Sequence, residues 1–121
     1  MEKFEKAGEE AVGILETLAD GAVCERRKMF GCPALFINGN MFSGVFASRL
    51  FFRIPPSDQA EWINKYPTLK VFEPVRGRAM REYLELAGKP GMVEAMNELF
   101  AAAAGHARAL PAKPPKPRKG S

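Results

Sequence analysis

The stretch that decides the fold is KMFGCPALFINGNMFSGVFASRLFFRI, residues 28–54. Asn38-Gly39 stands between two apolar runs, and both residues tolerate the positive φ that a type I′ hairpin turn requires. Ser48-Arg49 turns the chain again before a third apolar run at residues 50–54. The stretch therefore predicts consecutive short antiparallel strands joined by tight turns.

The Asn38-Gly39 turn also predicts which residues lie opposite each other in the hairpin. Phe36 is expected across from Met41, and Leu35 across from Phe42. Because side chains alternate between the two faces of a sheet, we expect two sets of large apolar residues. One face should carry Val45, Phe52 and Ile54, and the other Phe42, Phe46 and Phe51.

Large apolar side chains on both faces are not typical of an antiparallel sheet with one side in water. One face is expected to lie under helices. The other needs a further helix, a sheet that curves onto itself, or a second subunit. We favour a homodimer, with a possible interface at Phe42, Phe46 and Phe51.

Helical spacing of apolar residues flanks this stretch on both sides. Residues 2–19 predict one helix, which Asp20-Gly21 ends. Residues 92–110 predict a second long helix, and residues 57–66 a short one in which Asp58 opens a capping pattern. Further strands are predicted at three places in the chain: residues 23–30 as an edge strand, 69–73 and 79–86.

The predicted order is one helix, three or four strands, a short helix, two strands and a final helix. This order indicates an α+β domain of two layers, an antiparallel β-sheet packed with helices. The 121 residues suggest one domain, which we place at residues 1–110. Residues 111–121 contain four Pro and four basic residues without an acidic one, and are expected to form a disordered tail.

Composition excludes several classes of protein. No apolar run approaches the ~20 residues of a membrane span, and the charged N-terminal residues are unlike a signal peptide. Two cysteines do not form a disulfide framework. We therefore expect a cytoplasmic protein with reduced thiols and no membrane partner.

Charge is segregated along the chain. Residues 1–25 hold two basic and seven acidic residues, whereas residues 26–81 hold ten basic and three acidic ones. The first helix is thus expected to be acidic and the sheet basic. The net charge of +4 equals that of the tail alone, so weak, nonspecific nucleic-acid binding is expected through the tail.

The best candidates for binding an anion or a partner lie in and after one turn: Arg76, Gly77, Arg78 and Arg81. Glycine allows close approach of the backbone, and arginine binds phosphate or carboxylate through two parallel hydrogen bonds. The alternative is a solvated surface on which these arginines pair with Glu73, Glu82 and the acidic first helix.

No catalytic, metal-binding or cofactor-binding set is predicted. Cys24 and Cys32 could form a redox or metal pair, but two reduced, partly buried thiols are the favoured interpretation. His106 has no orienting partner in the sequence. We expect no enzymatic activity and no cofactor.

Four segments carry a resemblance to a known family: RKMFG at residues 27–31, LFINGNMF at 35–42, LFFRI at 50–54 and FEPVRGRAMREY at 72–83. They resemble the TfoX N-terminal domain, which is related to the TfoX/Sxy regulators of natural competence. The resemblance covers roughly residues 4–110, and the last segment is similar to the stand-alone, single-domain branch of the family.

The resemblance implies a fold of the secretion-chaperone-like type, in which helices back an antiparallel sheet. It also implies a non-enzymatic regulatory domain that acts through a protein partner such as a transcription regulator. Full-length TfoX acts with the cyclic-AMP receptor protein to switch on competence genes. Two alternatives stay open, a nucleic-acid-associated protein that uses the basic strands and tail, and a sensor of a small anionic ligand.

Overall fold

The computed structural model describes residues 8–29 and 31–112. These residues form three helices and six strands in the predicted order, so the α+β fold class is confirmed. The helices are α1 (Glu9–Ala19), α2 (Pro56–Lys65) and α3 (Val93–Ala109), with a 3-10 turn at Pro90–Met92 before α3. The strands are β1 (Glu25–Met29), β2 (Cys32–Ile37), β3 (Asn40–Phe46), β4 (Arg49–Arg53), β5 (Lys70–Val75) and β6 (Arg78–Ala87).

The strands form one antiparallel sheet in the order β1-β2-β3-β4-β6-β5, so β1 and β5 are its edges. The turn between β2 and β3 has positive φ at both Asn38 and Gly39, as a type I′ turn requires. Phe36 lies opposite Met41, as predicted. The expectation of an edge strand between residues 23 and 30 is also confirmed, because β1 has a paired neighbour on one side only.

All three helices pack on the same face of the sheet. The main core lies between the two layers and combines Leu15 of α1 and Leu99 of α3 with Val45, Phe52 and Ile54. Half-buried Trp62 and Ile63 of α2 pack against the margin of this core. The predicted grouping of Val45, Phe52 and Ile54 on one face is therefore confirmed, and helices cover that face.

A β-bulge in β3 changes the predicted alternation. Leu35 lies opposite Ser43, while Phe36 lies opposite Met41, so Phe42 is an extra residue between two paired ones. The predicted pairing of Leu35 with Phe42 is wrong for this reason. Phe42 turns to the helix-covered face, where its ring contacts the edge of Phe100 with a centroid distance of 5.4 Å.

The opposite side of the sheet, which we call the open face, carries a second apolar cluster. Its buried members all belong to the sheet or its turns: Phe46, Ala47, Phe51, Phe72 and Tyr83. The phenol of Tyr83 donates a hydrogen bond to the backbone carbonyl of Met41 across β4, at 3.0 Å. The Phe46 and Phe72 ring centroids are 5.8 Å apart, although β3 and β5 would lie about 14 Å apart in a flat sheet. The two rings therefore lean towards each other over β4 and β6, and side chains of the sheet itself cover this part of the face.

Helix α2 begins differently from the prediction. Its N-cap is Pro55, Pro56 occupies the first helical position, and no side chain caps the helix. Asp58 lies inside the first turn, so the predicted capping pattern is wrong. Proline fits the first helical position because its φ is already helical and its missing N–H has no partner there.

Two predicted segments lie largely outside the described residues. They are the start of the first helix at residues 2–7 and the disordered tail, of which only Pro111 and Ala112 are described. Within residues 8–29 and 31–112, no helix combines the length and apolar character needed to cross a bilayer.

Candidate partner-binding surface

The two layers of the fold carry opposite charge, as the segregation along the sequence predicts. The helices contain two basic and seven acidic residues, whereas the strands contain eight basic and four acidic ones. Where the layers meet, Arg26 of β1 pairs with Glu16 of α1 at 3.1 Å. A sheet arginine thus pairs with the acidic first helix, although it is not one of the three arginines for which this pairing was considered.

Three methionines surround the aromatic cluster of the open face. Met29, Met41 and Met80 are half-buried and pack against it from β1, β3 and β6. Methionine is flexible and polarizable, so it adapts to partners of different shape. The open face therefore presents adaptable apolar side chains over a rigid aromatic base.

Arg49 is fixed at the open face by a buried carboxylate. Glu85 is only 1% exposed, and its Oε1 accepts hydrogen bonds from Arg49 Nη1 at 2.8 Å and from the Glu73 backbone N–H at 3.2 Å. The Arg49 guanidinium also lies 5.4 Å from the centroid of the Phe46 ring. Because a buried carboxylate without its cation is strongly destabilising, Arg49 is a structural residue.

Two further arginines stack on aromatic rings at the edges of the open face. Arg53 lies 5.8 Å from the Tyr83 ring and pairs with Glu82 at 2.8 Å, while its buried Nε has no acceptor. Arg27 lies 4.8 Å from the ring of Phe36. Stacking on a ring restricts each guanidinium before any partner arrives.

Tyr83 links the aromatic cluster to this electrostatic arrangement. Burial raises the pKa of its phenol, although the nearby Arg53 charge acts in the opposite direction. The side chain therefore stays neutral at ordinary pH and keeps its hydrogen bond to Met41. This bond connects Met41, one of the three surrounding methionines, to the aromatic cluster of the open face.

The predicted anion-binding residues occupy the hairpin of β5 and β6, which we call the basic arm. Arg76, Arg78 and Arg81 are exposed, and none of them forms an ion pair with a described residue. Gly77 has a φ of +83°, as the tight turn requires. Its N–H, however, donates to the carboxylate of Glu73. The backbone donor expected to receive an anion is thus already used by the chain itself.

The three phenylalanines predicted as an interface are buried within the chain. Phe42 lies beneath α3, while Phe46 and Phe51 belong to the aromatic cluster of the open face. The interface role stays a prediction, but a partner on the open face would first meet the three methionines. Of the three, only Phe46 and Phe51 share a face as predicted, because the bulge turns Phe42 to the helix-covered side.

Cys24 and Cys32 lie at opposite ends of the β1–β2 hairpin. Cys32 is opposite Met29, and Cys24 lies five residues before Met29, which corresponds to about 17 Å along a strand. This distance excludes a disulfide, and both thiols are free. Burial also raises the pKa of Cys24. The predicted alternative of a redox pair within the chain is therefore wrong, while the reduced state of the two thiols stays a prediction.

His106 is half-buried on α3. Within the described part of the chain, no three His, Cys, Asp or Glu side chains come close enough to hold a metal ion.

Comparison with known proteins gives a match to one family model, that of the TfoX N-terminal domain, over residues 16–105. The matched residues include all six strands and α2, and hence both the open face and the basic arm. No curated protein and no solved structure gives a significant match to the chain.

Proposed function

The chain belongs to the TfoX N-terminal domain family, and we propose that it is a non-enzymatic regulatory domain that binds a protein partner on its open face. The observation that carries this proposal is the cluster of Phe46, Phe51, Phe72 and Tyr83 with its methionine rim, which packs against none of the described helices. A transcription regulator is the class of partner that we propose, because the family's competence regulators act with one.

The chemistry of the open face supports a protein partner. Aromatic residues, methionine and arginine are enriched at protein interfaces, whereas lysine and glutamate are depleted there. Arg27 and Arg53 already stack on rings, so they lose little freedom when a partner binds. A partner surface with an apolar centre and acidic margins would complement this arrangement.

The proposal is tested by capturing partners from the native cell with wild-type protein and with three variants. Met41→Glu and Met80→Glu place a charge on the rim of the open face, while Val93→Glu places one at an exposed apolar residue of the helical layer. We expect the rim variants to lose the partner and Val93→Glu to retain it.

The captured partner is then purified and titrated against each protein, after circular dichroism shows that every variant is folded. A glutamate at either methionine would bury an unpaired charge against the partner, which costs more than about 1 kcal/mol, so each rim variant should bind at least about fivefold more weakly. Equal affinity for all four proteins would rule out the open face as the binding surface.

A homodimer through the open face is the alternative occupant of this surface. It would bring Arg27, Arg49 and Arg53 of two copies together, but each of them is already paired with a carboxylate of its own chain, so charge does not decide between the two occupants. Light scattering at micromolar concentration separates the two cases. A monomer leaves the open face available to another protein, whereas a dimer dissociated by Met80→Glu would replace the proposed partner with a second copy.

Nucleic-acid binding is a second candidate function, which the unpaired arginines of the basic arm favour. Its test is a salt titration of DNA binding by the full chain, by a chain without residues 111–121, and by Arg76→Ala/Arg78→Ala. Loss of two phosphate contacts should reduce the salt slope by about two. If binding disappears with the tail and is unchanged by the arm substitutions, the domain itself does not bind DNA.

A further inference from the structure

We propose that the free edge of β1 is a strand-addition site for an extended acidic segment of a partner protein. This inference rests on the proposed role in protein binding and specifies the chemistry of the partner. Arg27 and Met29 of β1 contribute to the open face, so a segment added to this edge would continue that surface.

The geometry of β1 is suited to pairing. Five consecutive residue pairs join β1 to β2 without a bulge, from Glu25 opposite Phe36 to Met29 opposite Cys32. No described strand pairs with the outer side of β1. An edge of this kind offers a regular row of backbone donors and acceptors to another chain.

The other edge of the sheet is built differently. β5 contains Pro74, and its pairing with β6 is irregular on both sides of Phe72. Proline removes a backbone donor, and bulges twist an edge away from a new strand. The backbone of β5 is therefore poorly suited to pairing with a further strand, whereas the backbone of β1 is regular. For this reason we place strand addition at β1.

The side chains of β1 select the charge of the added strand. Arg26, Arg27 and Lys28 are all exposed. Arg26 pairs with Glu16 and Arg27 with Glu25, whereas Lys28 forms no ion pair with a described residue, so Lys28 is the cation that an acidic strand would meet first. If two copies of β1 paired symmetrically, Arg27 would face Arg27 and Arg26 would face Lys28, which is unfavourable. An acidic strand would instead meet opposite charges. Charge complementarity therefore favours an acidic partner over a second copy.

Two depressions lie along the same edge, as expected where alternate side chains of an added strand insert. One is lined by Arg26, Arg27, Lys28 and Pro33 together with Glu16, whose carboxylate already pairs with Arg26. The other adjoins residues 21–24 and the half-buried ring of Phe36, beside Val23, which is 91% exposed. A carboxylate in the first would contact Lys28, and the second fits an apolar side chain, so the expected segment combines both.

The probe for the test is an acetylated peptide of alternating glutamate and valine, about eight residues long. Its binding to isotope-labelled protein is followed by amide chemical shifts and hydrogen exchange. We expect shifts and slower exchange at the amides of β1. The same peptide with alternate backbone nitrogens methylated keeps its charge but loses donors, so it should bind at least about tenfold more weakly.

Two charge reversals provide a matched pair, because Lys28 and Lys70 are exposed lysines on opposite edge strands. Lys28→Glu replaces an attraction with a repulsion and should weaken peptide binding about fivefold. Lys70→Glu should leave the affinity unchanged. Binding that is insensitive to backbone methylation, or amide shifts centred on β5 or the basic arm, would overturn strand addition.

The outcome separates this inference from the proposed function. If the peptide does not bind at millimolar concentration while a captured partner still depends on Met41 and Met80, strand addition is wrong and the proposed function stands. If the peptide binds along β1 while no partner depends on the open face, strand addition stands and the proposed function is wrong.

Discussion

Gly44→Ala tests how tightly the open face is packed. Gly44 lies in the middle of β3, and the ring of Phe51 occupies the space where a side chain would be. A Cβ at this position would lie 2.5 Å from Phe51 Cζ and 2.9 Å from the carbonyl oxygen of Pro33. Carbon atoms pack at about 3.5–4.0 Å, so the ring would have to retreat by about 1 Å.

The structure leaves the Phe51 ring little room to move. It stacks on Phe72 with a centroid distance of 4.4 Å and meets the edge of Tyr83 at 5.7 Å. The carbonyl oxygen of Pro33 belongs to the backbone of β2, so no change of side-chain rotamer can remove this second clash. Overpacking at such a site lowers the free energy of unfolding by about 3 kcal/mol. Replacing glycine with alanine also reduces the conformational freedom of the unfolded chain, which raises the free energy of unfolding by about 0.5 kcal/mol.

We therefore expect Gly44→Ala to lower the free energy of unfolding by about 2–3 kcal/mol, or the melting temperature by about 10 °C. Urea and thermal unfolding measure both quantities. Gly13→Ala is the matched control, because Gly13 is an exposed residue of α1 with no atom within 4 Å of the added methyl group. It should stabilise the protein by about 0.5–1 kcal/mol. If Gly44→Ala were as stable as wild type while Gly13→Ala behaved as expected, the close packing would be refuted.

The remaining predictions concern ionisable groups. Because burial raises the pKa of Tyr83, its stabilising contribution is complete below about pH 10, the unfolded-state pKa, and is lost as pH rises through the folded-state pKa. Urea unfolding should therefore show wild type losing stability above about pH 10 more steeply than Tyr83→Phe, and equal slopes would contradict this. Glu85→Gln should lower the unfolding free energy by about 2 kcal/mol. Glu82→Gln changes a more exposed ion pair and should alter the unfolding free energy by about 0.5 kcal/mol or less. Similar urea midpoints for the two variants would contradict the structural role of Glu85. Mass spectrometry under mild oxidation should find no bond between Cys24 and Cys32, and detection of one would contradict the hairpin geometry.

The order of elements was predictable because each element has a local signal. The Asn38-Gly39 turn, the apolar spacing of the helices and the proline and glycine breaks all act within a few residues. The six strands and three helices follow from them within two residues at each described boundary, except that α1 begins at Glu9 after an extended Gly8 and not at residue 2. Pairing in the β2–β3 hairpin was predictable only as far as Phe36 and Met41.

The bulge at Phe42 was not predictable from alternation, because the pattern of apolar residues reads almost the same with or without an extra residue. Phe42 is large and apolar, so either face would accept it. The closure of the open face was also hidden, since the contact between Phe46 and Phe72 joins residues distant in sequence. The turn at Gly77 was predictable from the sequence. The hydrogen bond from the Gly77 N–H to the Glu73 carboxylate was not, because it depends on the side-chain rotamer of Glu73.

The separation of acidic helices from basic strands makes the molecule an electric dipole whose positive end is the sheet. In the field of an acidic partner, such a dipole rotates before contact, so encounters begin with the sheet already turned towards the partner. Short-range packing then determines how long the complex survives. Added salt should therefore slow the formation of a complex much more than it hastens its decay.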